Sequence, residues 1–390
     1  SSDLPSWVAE LVSELQSIDN VQCLPRSTAF GYYDHNFLGI LERRTDHLGI
    51  SAKLGVRQRL HRVRAKQVIL ATGAFERPLV FAHNDIPGVM QASSVSTYVN
   101  RYGVAPGKKL VLFTTNDNAY QTAIDWHKAG RKVVAIVDSR ANPSGDLVVA
   151  AKGLGVDVLA GHGVIEAVGG KRVKRALVAP LSETGAEIMG PVRSLDCDLI
   201  ASSGGWSPVI HLSSHTGAKP EWDESIVAFR PGVSKQRERS AGACAGTFGL
   251  SDCLREGAVA GAEAAQLAGY GDGKVIFPVS EVEEAVEQPQ QALFLVPHTK
   301  PTSRAPSQFV DMQLDVSASG IELAVREGFK SVEHIKRYTA MGFGTDQGKL
   351  GNINGMAILA NALGQSIEQT GTTIFRPSYT KKKAEYSFAN

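Results

Sequence analysis

Residues 68–78, with the sequence VILATGAFERP, decide the fold of this 390-residue chain. An apolar strand over residues 68–71 leads into the turn Thr72-Gly73-Ala74, and Pro78 ends the segment. Such a strand closes the sheet of a dinucleotide-binding α/β domain, and its glycine lets the backbone approach the ligand. A second copy of the pattern, DLIASSGGWSP, follows at residues 198–208. We therefore predict an α/β fold with tandem dinucleotide-binding domains of the FAD/NAD(P), disulfide-reductase-like type.

The phosphate loop that opens such a domain, a strand followed by Gly-x-Gly-x-x-Gly, does not occur before Val68. The sequence begins at Ser1 without a methionine, so we expect the first strand–helix–strand unit to lie upstream. We assign residues 1–105 and 205–287 to the incomplete first domain, and 106–204 to a second domain with a degenerate glycine loop. Residues 288–308 are assigned to a Pro-rich linker, 309–380 to a small all-α module and 381–390 to a tail.

Composition restricts the class of protein. The chain is 43% hydrophobic and 21% charged, and its formal net charge of +2 indicates no general attraction to nucleic acid. The cysteines form no C-x-x-C pair, which argues against an iron–sulfur or zinc site and favours small buried hydrophobic residues; they are Cys23, Cys197, Cys244 and Cys253. With no signal peptide and no apolar run long enough to span a bilayer, we expect a cytoplasmic protein that does not enter a membrane.

Hydrophobic spacing predicts the secondary structure. Helices are expected over residues 5–17 (with Ser6 as N-cap), 93–102, 118–129, 251–268, 319–340 and 352–363. Strands are expected over residues 21–24, 28–32, 37–43, 68–71, 109–113, 132–137, 156–160, 161–168, 173–180 and 196–202. The strand–helix–strand run over residues 109–138 is a parallel βαβ unit.

The glycine loop of that βαβ unit is degenerate. Thr114, Asn116 and Ala119 stand where a working fingerprint has glycines, and only Ala119 can replace a glycine for close packing. Asp117 places negative charge where a pyrophosphate would lie, although Asp138 matches the ribose-binding acid in position. We predict that the fold is retained and that the nucleotide site is lost.

Two further loops are cofactor candidates. Residues 242–250, GACAGTFGL, precede a long helix whose N-terminus suits a pyrophosphate; the alternative is a helix-packing turn, and we favour the ligand. Residues 342–348, GFGTDQG, follow a helix rather than a strand. These residues serve in one of two ways: they reverse the chain between helices, or they bind a phosphate. In the second case the phosphate contacts are backbone N–H groups and the side chains of Thr345, Gln347 and Lys349, and Arg337 adds a bidentate contact.

No catalytic or metal-binding group stands out. His211 and His215 are four residues apart, but Ser213, Ser214 and Gly217 indicate a loop there, and a third ligand of suitable spacing is lacking. We assign no catalytic residue and no metal site.

Several longer segments resemble a known family. They are TAFGYYDHN at 28–36, ATGAFERP at 71–78, FVDMQLDV at 309–316, REGFKSVEHIKRYT at 326–339, GTDQGK at 344–349 and TIFRPSY at 373–379. Together they closely resemble the alpha subunit of heterotetrameric sarcosine oxidase, over residues 20–380. The related opine-oxidase and cyanide-synthase subunits share the nucleotide-binding fold, but their C-terminal domain typically carries cysteines for an iron–sulfur cluster. This chain has no cysteine after Cys253, which favours the sarcosine-oxidase side.

The resemblance implies cofactors, partners and a reaction. NAD would bind in the first nucleotide domain, and FMN would be shared with a beta subunit that itself carries FAD; gamma and delta subunits complete the assembly. Sarcosine would be oxidised by oxygen to glycine and hydrogen peroxide, and the one-carbon unit would pass to tetrahydrofolate. The implied NAD contacts are Ala29, Thr72, Gly73, Ala74, Gly242, Ala243, Thr247, Phe248, Gly249 and Leu250. The implied FMN phosphate contacts are Arg337, Thr345, Gln347 and Lys349.

The same resemblance implies that a folate-binding domain would normally follow, and the last residues of this chain do not match that continuation. We expect the chain alone to be inactive. Two alternatives remain: an NAD(P)H-dependent electron-transfer subunit of the opine-oxidase or cyanide-synthase kind, and a structural nucleotide-binding subunit without chemistry.

Overall fold

The computed structural model describes residues 4–52, 55–275 and 284–379. The predicted tail, with its basic residues 381–383, lies outside the described residues. Helices in this part of the chain are α1 (Leu4–Ser17), α2 (Ala92–Tyr102), α3 (Tyr120–Lys128), α4 (Asp146–Gly153), α5 (His211–His215), α6 (Leu250–Leu267), α7 (Ala318–Arg326), α8 (Val332–Thr339), α9 (Asn352–Leu363) and α10 (Ile367–Thr370).

The strands are β1 (Ser27–Tyr33), β2 (Phe37–Arg43), β3 (Gln58–Arg64), β4 (Val68–Leu70), β5 (Ala74–Glu76), β6 (Val89–Gln91), β7 (Lys109–Thr114), β8 (Lys132–Asp138), β9 (Val158–Ala160), β10 (His162–Gly169), β11 (Val173–Pro180), β12 (Arg193–Asp196), β13 (Leu199–Ser203), β14 (Trp206–Pro208), β15 (Glu221–Asp223), β16 (Ala228–Arg230), β17 (Glu238–Ser240), β18 (Phe309–Asp311) and β19 (Val316–Ser317). Two short helices of the 3-10 type cover Asp46–Ala52 and Gly242–Ala245.

The second nucleotide-type domain is built on a parallel sheet of order β6-β13-β7-β8-β9. Alternate residues of β7 point to opposite faces, as a strand requires. Leu110 and Leu112 pack with α2, α3 and α4, whereas Val111 and Phe113 pack with the antiparallel meander β10-β11-β12. The sheet is therefore buried on both sides, which explains its continuous apolar strands. The predicted βαβ unit is confirmed, because β7 and β8 pair in parallel.

The first nucleotide-type domain includes the parallel pair β4–β17 and the antiparallel sheet β1-β2-β3. Helix α6 packs against β4. The antiparallel pair β5–β14 connects the two domains, since it joins the chain leaving β4 to the chain leaving β13.

The C-terminal module, predicted to be all-α, consists of helices α7 to α10 and also contains the antiparallel ribbon β18–β19. Its core side chains include Ile321, Ile335 and Met356, and they share one hydrophobic cluster with Val80 and Phe229 of the preceding domains. The module is thus packed onto the nucleotide domains through a common core. No helix in the described part of the chain is long and apolar enough to cross a membrane.

Several predictions from local sequence are wrong. Residues 21–24 are not a strand, because Val21 is exposed, no neighbouring strand pairs with it, and Pro25 follows. Ser6 lies inside α1, which begins at Leu4. The single helix expected over residues 319–340 is two helices, α7 and α8, because Gly328 adopts a φ of 98° between them.

Other differences concern polar segments and cysteines. Strand β12, rich in charge, was not expected, and the loop expected at His211 and His215 is the short helix α5. Cys197 and Cys244 are buried as expected, but Cys23 and Cys253 are only partly buried.

The residues predicted to form a linker are bound to the domains by backbone hydrogen bonds. The Gln291 N–H donates to Thr115 O, and the Val296 N–H donates to Val80 O.

Candidate functional site

The candidate site begins where two neighbouring parallel strands end. Strand β4 leads into Thr72-Gly73-Ala74, and β17 leads into the turn that starts at Gly242. Carboxyl ends of parallel strands meet at one edge of a sheet, and dinucleotides bind outside such an edge in doubly wound folds. Two segments that are about 170 residues apart in sequence are brought together in this way, and Cys244 Sγ lies 3.0 Å from Leu70 O between them.

The first segment is held in a fixed conformation. Thr72 Oγ1 donates to Val209 O at 3.0 Å, and the Val209 N–H donates to Gly73 O at 3.0 Å. Gly73 has a φ of 75°, which a residue with a side chain rarely adopts, and a Cβ added there would meet no atom within 4 Å. The glycine is therefore required by the backbone conformation, and the space beside it is open.

Ala29 lies on β1 and belongs to the same neighbourhood. It packs against the cluster that contains Leu70 and Val209, as Phe75 also does. Strand β1 therefore contributes to the hydrophobic cluster beneath β4, and Ala29 has no polar side chain with which to bind a ligand.

The second segment is already engaged by carboxylates. The Gly242 N–H donates to Glu256 Oε2 at 2.8 Å. The N–H groups of Leu250 and Ser251, in the first turn of α6, both donate to Glu284 Oε1, the second at 3.1 Å. A pyrophosphate was predicted at this helix N-terminus, and the structure places a carboxylate there instead, which satisfies the same donors. The remaining predicted contacts here are Ala243 in the turn, Thr247, Phe248 and Gly249; Phe248 and Leu250 are exposed.

At the second sheet, the predicted loss of the nucleotide site has a physical cause. Asp138, which matches the ribose-binding acid in position, is fully buried and accepts from Tyr120 Oη at 2.8 Å and Arg140 Nη2 at 2.7 Å. Arg140 Nη2 also donates to Asp117 Oδ1 at 2.6 Å. Burial lowers the pKa of Arg140, but its bonds to Asp138 and Asp117 outweigh this and raise it. The polar side chains at this edge thus form hydrogen bonds and ion pairs with one another, which leaves them unavailable to a nucleotide.

The linker covers the same edge. The Gln288 N–H donates to Asp117 Oδ2 at 2.7 Å, and the Gln291 N–H donates to Thr115 O at 3.0 Å. Asn116, at a former glycine position, donates to Ser203 Oγ at 3.1 Å. A nicotinamide nucleotide would have to displace this segment, which argues against NAD(P)H binding at the second βαβ unit.

The loop over residues 342–348 reverses the chain, and backbone N–H groups of the loop donate hydrogen bonds to carboxylates of the protein. The Gly342 N–H donates to Asp311 Oδ2 at 2.8 Å, and the Gly348 N–H donates to Asp346 Oδ1 at 3.1 Å. Lys349 is buried, and its Nζ donates to Asp346 O at 3.0 Å and Gln347 Oε1 at 3.2 Å. The loop is therefore not the open phosphate cradle that was one of its two predicted forms.

The other members of that predicted phosphate site are dispersed. Thr345 Oγ1 donates to Gln313 Oε1 at 3.2 Å, and Gln347 Nε2 donates to Ser378 O at 2.7 Å. Arg337 lies exposed on α8.

Sequence reasoning missed Glu256, Glu284 and Asp346, three carboxylates that accept backbone N–H groups. No local pattern marks Glu284, which is 34 residues from Leu250 in sequence. The pair His211 and His215 holds no metal cluster: within the described residues, no group of three His, Cys, Asp or Glu side chains is arranged to bind an ion.

Comparison with known proteins agrees with the fold and the sequence motifs. A family model described as the sarcosine oxidase A3 domain matches residues 305–389. The chain is 42% identical over 368 residues to sarcosine oxidase subunit alpha of Rhizobium meliloti (strain 1021), covering 94% of this chain and 35% of that protein. It is 38% identical over 387 residues to the corresponding subunit of Corynebacterium sp. (strain P-1), covering 97% and 39%.

Among solved structures, L-proline dehydrogenase from P. horikoshii is similar, with a TM-score of 0.67 at 19% identity, over 97% of this chain and 67% of that one. This similarity supports the two-domain nucleotide-binding fold. The chain spans little more than a third of the length of the sarcosine oxidase subunits that it matches. From the motifs, the matched C-terminal module and the identity over nearly all of its residues, we conclude that this chain belongs to the sarcosine oxidase alpha-subunit family.

Proposed function

We propose that this chain is the nucleotide-binding portion of an alpha subunit in an amine-oxidising assembly of the sarcosine oxidase type. The observation that carries the proposal is the meeting of residues 72–74 and 242–243 at the carboxyl ends of the parallel strands β4 and β17. We take the bound dinucleotide to be NAD. This part of the chain would bind and orient the cofactor, and no catalytic residue is assigned to it.

In the proposed assembly, a beta subunit with FAD oxidises sarcosine, and oxygen is reduced to hydrogen peroxide. Glycine is the amine product, and the one-carbon unit passes to tetrahydrofolate. FMN lies between the alpha and beta subunits, and gamma and delta subunits complete the complex. Among the residues first considered for the FMN phosphate, Arg337 and Thr345 are the exposed ones that could reach a ligand at such an interface.

We limit the proposed NAD contacts to residues that have open space beside them. Thr72, Gly73 and Ala74 offer backbone beside open space, since nothing lies within 4 Å of a Cβ built on Gly73. The N-terminus of α6 is excluded from the proposal while Glu284 accepts its N–H groups. The contact surface is therefore the end of β4 together with the first residues after β17.

The test compares two glycines with the same backbone requirement. Gly73 and Gly103 have φ values of 75° and 64°, and a Cβ at either would meet nothing within 4 Å. Alanine at each position carries a similar strain of roughly 1–2 kcal/mol, but only Gly73 is at the proposed site. The full natural protein is purified with its partner subunits, and the released nucleotide is quantified by mass spectrometry.

We expect Gly73→Ala to reduce bound NAD at least tenfold and Gly103→Ala to leave it unchanged. The proposal is wrong if the wild-type protein releases no NAD, or if the two variants lose it equally.

A further inference from the structure

The antiparallel sheet β1-β2-β3 has one buried face and one exposed face. Residues that pair across neighbouring strands share a face, and successive residues of a strand alternate between faces. Tyr32 and Leu38 are paired and buried, whereas the next pair, Tyr33 and Phe37, points to the opposite side, where Tyr33 is 38% exposed. The outer face, as we name this exposed side, is formed by Phe30, Tyr33, Phe37, Leu60, Arg62 and Arg64.

Aromatic rings cover the centre of the outer face. A Cβ added to Gly39 would lie 2.5 Å from Phe30 Cζ, and one added to Gly31 would lie 2.5 Å from Tyr33 Oη. The two rings therefore occupy the space above the two glycines. The Phe37 ring lies beside them, with its centre 5.9 Å from that of Tyr33. Partly exposed aromatic side chains grouped in this way are typical of the central contact of a protein interface.

Charge gives the outer face a sign. Arg62 and Arg64 are exposed there, and within the described residues neither guanidinium forms a hydrogen bond or an ion pair. By contrast, Arg59 points to the other side of β3 and lies 4.0 Å from Glu42. No outward position of the three strands holds Asp or Glu. The outer face is therefore positive and complementary to an acidic surface.

Protection of a sheet edge does not account for all of these side chains. Strand β3 lies at the edge of its sheet, since it pairs with β2 alone, and charged residues on an edge strand prevent pairing with other chains. That purpose requires charge and no exposed apolar group. Leu60 is nevertheless 59% exposed on the same side of β3 as Arg62 and Arg64. An apolar centre with an arginine rim is instead the composition of a protein–protein contact.

We propose that the outer face is the docking surface for another subunit of the proposed assembly, one that presents acidic side chains around an apolar contact. The inference rests on the proposed assembly and is independent of the nucleotide bound at β4. Leu60 and the rings of Tyr33 and Phe37 form the apolar contact. Arg62 and Arg64 pair with carboxylates of the partner at the rim, where they accelerate association more than they hold the complex together.

The test measures how fast the full natural protein associates with its partner subunits, by biolayer interferometry at low and at high salt. Arg62→Glu should slow association at least about fivefold at low salt and should reduce its salt dependence, because a rim charge acts through the association rate. Leu60→Ser should accelerate dissociation at least about threefold and leave the salt dependence unchanged.

Arg193→Glu is the matched control. Arg193 is exposed on β12, which is the edge strand of the other three-stranded antiparallel sheet. It should leave both rates unchanged, and circular dichroism verifies that each variant is folded. Equal association rates for Arg62→Glu and Arg193→Glu would overturn the proposal.

Hydroxyl-radical footprinting of the wild-type protein gives a second readout. Tyr33 and Phe37 should be oxidised in the full chain alone and protected in the assembly. Protection in the full chain alone would show that other parts of the same polypeptide cover the face, and this result would overturn the proposal. Binding of a labelled oligothymidylate as tightly as the partner subunits would overturn it too, because aromatic and basic sheet faces also bind single-stranded nucleic acid.

Bound NAD, quantified in the same preparations, separates this proposal from the proposed function. An assembly that contains NAD but does not respond to Arg62→Glu or Leu60→Ser overturns the docking surface alone. An assembly that responds to both but contains no NAD overturns only the nucleotide assignment. If the wild-type protein forms no assembly, both proposals are wrong.

Discussion

At the residue scale, buried polar side chains with missing partners set the sensitivity of this fold to pH. Both ring nitrogens of His211 are buried without a hydrogen bond, and the ring lies 4.0 Å from that of Phe375. Burial, with Lys349 and His215 nearby, lowers the pKa of His211 well below its usual value. Burial also lowers the pKa of His215 to about 4. Both imidazoles are therefore neutral in the folded protein near neutral pH.

Acid should destabilise the protein through these two histidines. Between about pH 6.5 and 4 the two imidazoles bind protons in the unfolded chain but stay neutral in the folded protein. The free energy of unfolding therefore falls as the pH falls. We expect a loss on the order of 1–2 kcal/mol at pH 5 from His215, and a further loss in the same direction from His211. Urea unfolding at pH 7.5 and at pH 5 measures this difference in the free energy of unfolding. His211→Phe should reduce the difference between the two pH values, whereas the exposed His47→Asn should not; equal pH profiles for all three proteins would contradict this account.

At the scale of elements, three helices of the C-terminal module have serine caps at their N-termini. Ser317, Ser331 and Ser366 each cap a helix by accepting a backbone N–H, and Ser366 forms a capping box with Gln369. Gly328 and Ser331 lie between α7 and α8 and divide a segment whose hydrophobic spacing suits one longer helix. After the break, α7 contacts both α9 and α8.

Ser331→Ala should lower the free energy of unfolding by about 1 kcal/mol, because the His334 N–H loses its acceptor at the first turn of α8. Ser331→Gly is the matched control, since glycine at an N-cap costs only a few tenths of a kcal/mol relative to serine. Urea unfolding of both variants decides the point. A glycine variant as unstable as the alanine variant would show that the cap is not the cause.

At the scale of the whole molecule, one ionic cluster holds the linker on the second domain. Arg140 pairs with the fully buried Asp117 and Asp138, and Asp117 accepts from the Gln288 N–H as well. Closing this edge leaves the β4–β17 edge as the place in the described structure where we propose a bound nucleotide.

Arg140→Met should lower the free energy of unfolding by about 3–5 kcal/mol, because two buried carboxylates lose their cation. Replacing both aspartates by asparagine in the same protein should recover part of that loss. Arg255→Met is the control, since its pair with Asp252 is exposed and worth at most about 1 kcal/mol. Limited proteolysis near Gln288 should accelerate only in the Arg140 variant. Equal losses from the two arginine variants would refute the linker-holding role.

The fold class, most of the strands and the position of the β4 edge could be predicted from the amino-acid sequence alone. These features depend on hydrophobic periodicity and on a glycine turn, which are local properties of the chain. The family resemblance was also readable from short motifs in residues 309–379. Which polar groups already have hydrogen-bond partners could be known from the three-dimensional structure alone. Glu284 at α6, Asp138 with Arg140, and Lys349 beside Tyr379 find their partners through long-range packing, which one-dimensional spacing does not encode.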